Sequence, residues 1–492
     1  MKALRLVVPL LFLVTIGKSW AFDPLATLKL EINEQIQAKN SRFLNYEITN
    51  SEAKFPEVPN QFICTFDNGN NIYEIISENN KIIENITDKQ LQREMINELR
   101  SFEQKMMHIA AWDLFLAANN NVKARKQSFP SSLTSDSAYI PKWGAWLHDT
   151  ETSANLIDNE TLELNSKSLD TGKWQCEGDC LQTTLNLDIF LPSQGIKGGG
   201  ELIDQMGNPV FYESRANGLL FKQLGEGYEA NLPMFFPLGQ CTTNIDIGIT
   251  FTKDPGKRQN ILPVVTTKLA WRVLTDEDDQ NQFFKMENVS INLKGHKTTV
   301  NLGLVAMHVA IKEQRQRSWR WVTFEHVNNL YEPEQGSSDK PFFNNPACKD
   351  CCNNLLPKKS STPAQITRLH PIPEGIQTLN KQLQSILKNN NSVFQYYKLV
   401  ETQYTSLVAP NTDFLKTTPM DARNSVIEPF LLPKIQSCQN KTSYVTPANF
   451  FDSGCMGCHK FAKFKTKNGK PANADFTFIT PLHIEKEKNN EQ

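Results

Sequence analysis

Residues 454–459 read Gly-Cys-Met-Gly-Cys-His. A Cys-x-x-Cys pair followed at once by His matches the pattern by which a chain takes a c-type haem. Each thiol can add to one porphyrin vinyl and form a thioether. The two intervening residues let one turn of chain reach both vinyls. The next residue, His459, then lies under the iron and offers an imidazole nitrogen as proximal ligand. Gly454 and Gly457 let the backbone approach a flat macrocycle. Two other chemistries share the spacing: a disulfide between Cys455 and Cys458, and a thioredoxin-like redox pair. The first leaves the adjacent His without a role. The second wants a βαβ context, which the surrounding sequence does not offer.

A haem iron held by His459 has one further axial position. Among His and Met residues only His483 follows the motif, while Met420 and His370 precede it and Met456 lies inside it. Met420, His370 and His483 are therefore the candidate sixth ligands. His308 and His326, in the middle of the chain, reach the iron only if the parts of the chain pack together. His296 falls in a turn. A capped iron mainly passes electrons, whereas an open sixth position binds small ligands or peroxide.

Cys348-Lys-Asp-Cys351-Cys352 has the same first spacing, with Cys where a haem site needs His. Zinc would need a second ligand pair at finger-like distance, and none is present. Disulfides are the expectation there and at Cys176-x-x-x-Cys180. With Cys64, Cys241 and Cys438 these make eight cysteines outside the motif, and the sequence leaves the pairing of all eight open. Lys460, Lys463, Lys465, Lys467 and Lys470 follow His459 with no acidic residue among them. They form either a solvated loop or a basic rim that steers an acidic redox partner.

The elements that must position these residues follow from patterning. Lys2 and Arg5, the apolar run Leu6 to Gly17 and Ser19-Trp20-Ala21 read as a signal peptide over 1–21. No later run of about 18 apolar residues occurs, so the mature chain is not expected to span a membrane. Residues 22–180 read as a helical, then irregular, region. Within it Lys89 to Leu116 has apolar residues at three- and four-residue steps, with Asp88 as N-cap. Residues 181–335 read as a β-rich domain. Alternation marks strands near 185–190, 245–251, 268–274, 289–293, 298–311 and 319–327, and Met206-Gly207-Asn208 marks a turn. Residues 336–368 read as a cysteine-containing linker. Residues 369–492 read as a small, mainly helical haem-bearing region, with a helix over Thr378 to Lys388. The fold class is α+β with an antiparallel central sheet. The 492 residues are 39% hydrophobic and 21% charged, with a net charge of −1, which argues against nucleic acid as a partner.

Several stretches carry a wider likeness: Trp112-Asp-Leu-Phe-Leu-Ala, Leu202-Ile-Asp-Gln-Met-Gly-Asn, Lys268-Leu-Ala-Trp-Arg-Val-Leu, Leu302-Gly-Leu-Val-Ala-Met-His308, Trp319-Arg-Trp-Val-Thr-Phe-Glu-His326, Cys455-Met-Gly-Cys-His459 and Asp475-Phe-Thr-Phe-Ile. With these the chain resembles exported bacterial proteins of the cytochrome c family with a single C-terminal Cys-x-x-Cys-His motif. The resemblance implies one covalent haem c, held by Cys455, Cys458 and His459, and implies no substrate. Small carriers of the commonest cytochrome c type place this motif early and a Met ligand well after it. No Met follows His459, so that fold is not expected intact.

The expectation is an exported, periplasmic monohaem cytochrome of a Gram-negative bacterium that transfers electrons to a redox partner protein. The alternatives are a peroxidase- or oxidase-like haem enzyme, with His308, Glu325 and His326 as acid-base groups, or a haem-based ligand sensor. No nucleophile elbow, phosphate loop or zinc-protease helix is present.

Overall fold

Asp88 opens the longest helix. Its Oδ1 accepts the backbone N–H of Gln90 at 2.8 Å and of Leu91 at 3.2 Å, the N-cap arrangement that satisfies first-turn donors. The computed structural model describes residues 25–26, 28–30, 33, 72–119, 121–123, 139–141, 147–148, 201–216, 220, 264–293, 296–313, 318–348, 351, 353–354, 362–408, 417–418, 422–430 and 454–477. The helix opened by Asp88 is α2, Lys89–Asn119. It follows α1, Ile72–Asn85. The strands expected near 185–190 and 245–251, the signal segment, and Cys64, Cys176, Cys180, Cys241, Cys352 and Cys438 lie outside the described residues. No described helix is long and apolar enough to cross a membrane.

β1 (Asn121–Lys123) and β2 (Tyr139–Pro141) form a separate ribbon. The main sheet is antiparallel. It contains β3 (Leu147–His148), β4 (Phe211–Ala216), β5 (Val264–Leu274), β6 (Lys285–Leu293), β7 (His296–Lys312), β8 (Arg320–His326), β9 (Tyr397–Thr405) and β10 (Thr417–Thr418). Their order is β10-β9-β8-β7-β5-β4-β3, and β6 pairs with the first half of β7.

Register sorts the side chains. Leu269, Met307, Phe324 and Leu399 stand opposite one another across β5, β7, β8 and β9. This row faces the helices. Phe324 stacks on Phe115 at 4.0 Å and meets Trp112 edge-on at 4.8 Å between ring centroids. A third helix, α3 (Glu374–Asn389), closes this layer. Its Asn380 accepts the Trp112 Nε1–H at 3.0 Å and donates to the Leu399 carbonyl at 2.9 Å. One buried amide thus ties α2, α3 and β9 together.

The adjacent row, Lys268, His308 and Thr323, points to the opposite face because side chains alternate along a strand. Irregular chain covers that face. Phe342, Phe343, Ala364, Ile366, Val426 and Ile427 bury themselves there against Ala270 and Ala306. Two sequence expectations are corrected by this packing. The stretch 336–368 is not a simple linker, because Phe342, Phe343, Ala364 and Ile366 belong to the core. The stretch from 369 onward is not a separate, mainly helical unit, because α3 and β9 join the central layers. The α+β class with an antiparallel sheet holds. Cys348 and Cys351 form a disulfide with each other, a pairing the sequence left open. The turn at Gly207 (φ +79°) is also present, with Asp204 accepting from the backbone of Met206 and Asn208.

Two buried groups make stability pH-dependent. Burial pushes His326 down to about 3, and its Nε2–H donates to the Gln282 carbonyl at 3.0 Å. Burial alone would raise the Glu332 carboxyl, but Arg368 and Lys398 hold it down at about 2. In both cases the unfolded chain binds the proton more readily, so stability rises with pH. The His326 contribution is complete above about 6.5 and is lost toward about 3. The Glu332 contribution is complete above about 4.5 and is lost toward about 2. Urea midpoints should fall steadily on acidification through this span, and a flat profile would contradict the buried, neutral His326.

Candidate functional site

The Cys-x-x-Cys-His residues form one short helix, α4, Cys455–His459. It sits on the sheet face opposite the long helices. Met456 points down into a cluster with Ala310, Trp319 and Trp321, and so belongs to the packing under the helix. Its backbone N–H donates to Gln403 Oε1 on β9 at 2.8 Å. Buried Met456 anchors α4, and the two cysteines are partly buried, Cys455 packing against the same cluster.

Cys455 and Cys458 are not joined to each other, unlike Cys348 and Cys351 at the same spacing. The Cys455 sulfur lies 3.9 Å from the Ala422 carbonyl. Burial pushes the Cys458 thiol up, and Glu428 adds to this while Lys268 opposes it.

After α4 the chain makes a ribbon of β11 (Lys463–Lys465) and β12 (Pro471–Asn473), turning at Gly469 (φ +78°). The ribbon returns the chain to His459. There the His459 Nδ1 lies 2.8 Å from the Phe476 carbonyl. A carbonyl only accepts, so Nδ1 carries the proton and the lone pair stays on Nε2. Burial pushes the ring down to about 4, so it is neutral at ordinary pH. Its centroid lies 4.3 Å from the Trp321 ring.

The turn that delivers the Phe476 carbonyl is strained. Asp475 and Phe476 have φ of +45° and +68°, a region that residues with a Cβ rarely adopt. Lys312 on β7 ion-pairs with the Asp475 carboxylate. Trp319 Nε1 donates to the Asp475 carbonyl at 2.9 Å. The sheet therefore holds the turn in place.

On the same face, His308 Nε2 lies 2.9 and 3.1 Å from the two carboxylate oxygens of Glu428. Glu428 also accepts the Asn424 N–H at 2.9 Å. Burial would raise the Glu428 carboxyl, but His308 lowers it further, and the net shift is downward. Lys268 is the cross-strand neighbour of His308. Two residues along β7 on the same face, Ala310 packs with Met456 of α4 and with Trp321, whose ring meets that of His459.

The other expected site residues fall elsewhere. His370 lines a cleft of about 240 Å3 with Arg368 and Arg423, and Glu428 forms part of its wall. Met420 and His483 lie outside the described residues. Glu325 and His326 are corrected: neither is an acid-base group beside the motif. Glu325 is buried and ion-paired with Arg368. His326 uses both nitrogens on backbone partners, Gln282 and Asn328. The reading of the sequence missed Lys268, Glu428, Trp321 and Phe476. A lysine inside the apolar strand Lys268-Leu-Ala-Trp was the one available signal.

Among the described residues no three His, Cys, Asp or Glu side chains gather into a metal-ion cage. A haem iron does not call for one, because the porphyrin supplies four nitrogens. The residues present fit a covalent haem: two unbridged thiols one turn apart and a neutral imidazole whose other nitrogen is held by a carbonyl. No known protein family, no curated protein and no solved structure matches the chain.

Proposed function

We propose that this protein is an exported monohaem c-type cytochrome that works in the periplasm as an electron-transfer protein. The observation that carries the reading is the His459 ring. Its Nδ1–H is committed to the Phe476 carbonyl beside two unbridged thiols. Haem c bound there would supply a one-electron couple. Cys455 and Cys458 would hold it through thioethers, and His459 would ligate through Nε2. Trp321 and the strained 475–476 turn fix the ring that does this. The visible spectrum of protein made in a periplasm with cytochrome c maturation tests the reading. A reduced c-type spectrum unmoved by carbon monoxide is expected. A prompt shift with carbon monoxide would favour a ligand-binding or enzymatic haem, and no haem spectrum would end the proposal.

The basic ribbon suggests the partner. Lys463, Lys465, Lys467 and Lys470 are all exposed, with Phe464 and Thr466 turned inward between them. Phe461, beside Lys460, is 59% exposed. A cationic patch with an apolar contact beside the motif suits an acidic redox protein. Oxidation of the reduced protein by ferricyanide, a multiply charged anion, should slow as salt rises. The Lys463→Glu, Lys465→Glu double variant should slow it roughly tenfold at low salt. A rate independent of both salt and these substitutions would remove the ribbon from the docking surface.

A further inference from the structure

We propose that His308 supplies the second axial ligand of the haem iron, through the imidazole nitrogen that Glu428 does not hold. This rests on residues 455–459 being the haem site.

The first argument is an orphaned lone pair. The Glu428 carboxylate lies 2.9 and 3.1 Å from His308 Nε2 and fixes the proton there. In the neutral ring the lone pair is then on Nδ1. That nitrogen is buried and has no hydrogen-bond partner. An acceptor left buried and unpaired is costly, and native structures rarely keep one without a use. A metal ion is a partner for such a lone pair. Histidine ligands commonly donate their other ring N–H to a carboxylate, which orients the ring and raises its basicity. His308 and Glu428 already have that relation.

The second argument is position. His308 stands on β7, a central strand paired on both sides, on the face that carries α4. Ala310, two residues along the same face of β7, pairs with Trp321, whose ring centroid lies 4.3 Å from that of His459, and packs with Met456 of α4. The other described candidates lie elsewhere, and all but His370 are engaged, exposed or packed away from the motif. His108 pairs with Glu401 at 3.2 Å beneath the helices. His326 has backbone partners on both nitrogens. His296 is exposed at the far end of β7. Met307 faces the helices, and Met456 is core. His370 lies in the cleft beyond Glu428.

The test is ferric electron paramagnetic resonance with visible spectra of the reduced protein, with and without carbon monoxide. The wild-type protein should be low-spin and unmoved by carbon monoxide. His308→Ala should become high-spin and bind carbon monoxide, and added imidazole should restore the low-spin signal. His370→Ala should leave the spectrum unchanged. Should His308→Ala fail to fold, His308→Met serves. It keeps six ligands, introduces the sulfur–iron charge-transfer band and raises the potential, as His/Met ligation does. An unchanged low-spin spectrum in His308→Ala or His308→Met would overturn the assignment. So would a high-spin spectrum in His370→Ala, or a wild-type haem that binds carbon monoxide at once. A wild-type protein with no haem overturns the reading of Cys455, Cys458 and His459 instead, so the two failures are distinct.

Discussion

The Cys455→Ser, Cys458→Ser double variant should carry no covalent haem at all. Acid-acetone extraction should leave haem on the wild-type protein and none on the variant, and intact mass should differ by one haem. The reason lies in the chemistry of the thiols: each thioether needs its own sulfur, and serine cannot replace it. Single variants should keep a single thioether and a changed spectrum. Folding should survive the change. The cysteines are only partly buried, serine is close to cysteine in size, and buried Met456 and Gln403 also seat this helix. Circular dichroism and the urea midpoint therefore separate loss of haem from loss of fold. Haem that resists extraction in the double variant would contradict the site.

Arg368→Ala should destabilise the protein by about 3–5 kcal/mol, the range for breaking a buried ion pair from one side. Arg368 is nearly enclosed. Its Nη2 lies 2.6 Å from Glu325 Oε2, and its Nε lies 2.6 Å from Glu332 Oε1. Lys398 Nζ meets Glu332 Oε2 at 2.5 Å. Glu325 has no solvent exposure and also accepts the Ser425 N–H at 2.6 Å. Removing the guanidinium leaves one buried and one partly buried carboxylate facing one ammonium. Burial alone would lower Arg368, but the two carboxylates raise it well above its usual range, so deprotonation offers no escape. Glu325→Gln in the Arg368→Ala background should recover part of the loss, because it removes the charge left alone. Denaturant midpoints of the three proteins decide the point. A loss under about 1 kcal/mol, the range of a solvated surface pair, would mean that water reaches the network.

Local pattern explains much of what was legible. The Cys-x-x-Cys-His motif spans one turn of chain, so its spacing is complete in the sequence. Helix α2 announced itself through apolar steps and through Asp88, whose cap contacts are made within three residues. Strands β5 to β8 coincide with stretches marked by alternation or apolar runs. Strand β9 did not show. All nine of its residues are buried, including Lys398, Glu401 and Gln403. Its polar groups are satisfied by partners from other elements, and a bulge beside Leu399 breaks the register. A strand buried on both faces, with polar residues on each, has no period to read. The linker reading failed for a related reason. Ser, Pro and Lys around 358–363 look like connection, yet Phe342, Phe343 and Ile366 on either side had a sheet face to cover.

The sequence by itself determined the chemistry on offer: two thiols and an imidazole at haem spacing, an α+β composition and a run of lysines behind the motif. Tertiary structure alone decided what stands around it. His308 and Glu428 are 120 residues apart, and their meeting depends on strand order and on the segment that folds over β7 and β8. His459 finds its carbonyl 17 residues later, because the β11–β12 ribbon turns back and Lys312 and Trp319 pin the strained turn. Contacts of this kind follow from register and packing across the sheet. No local period encodes them, since a one-residue change of register would send His308 to the other face.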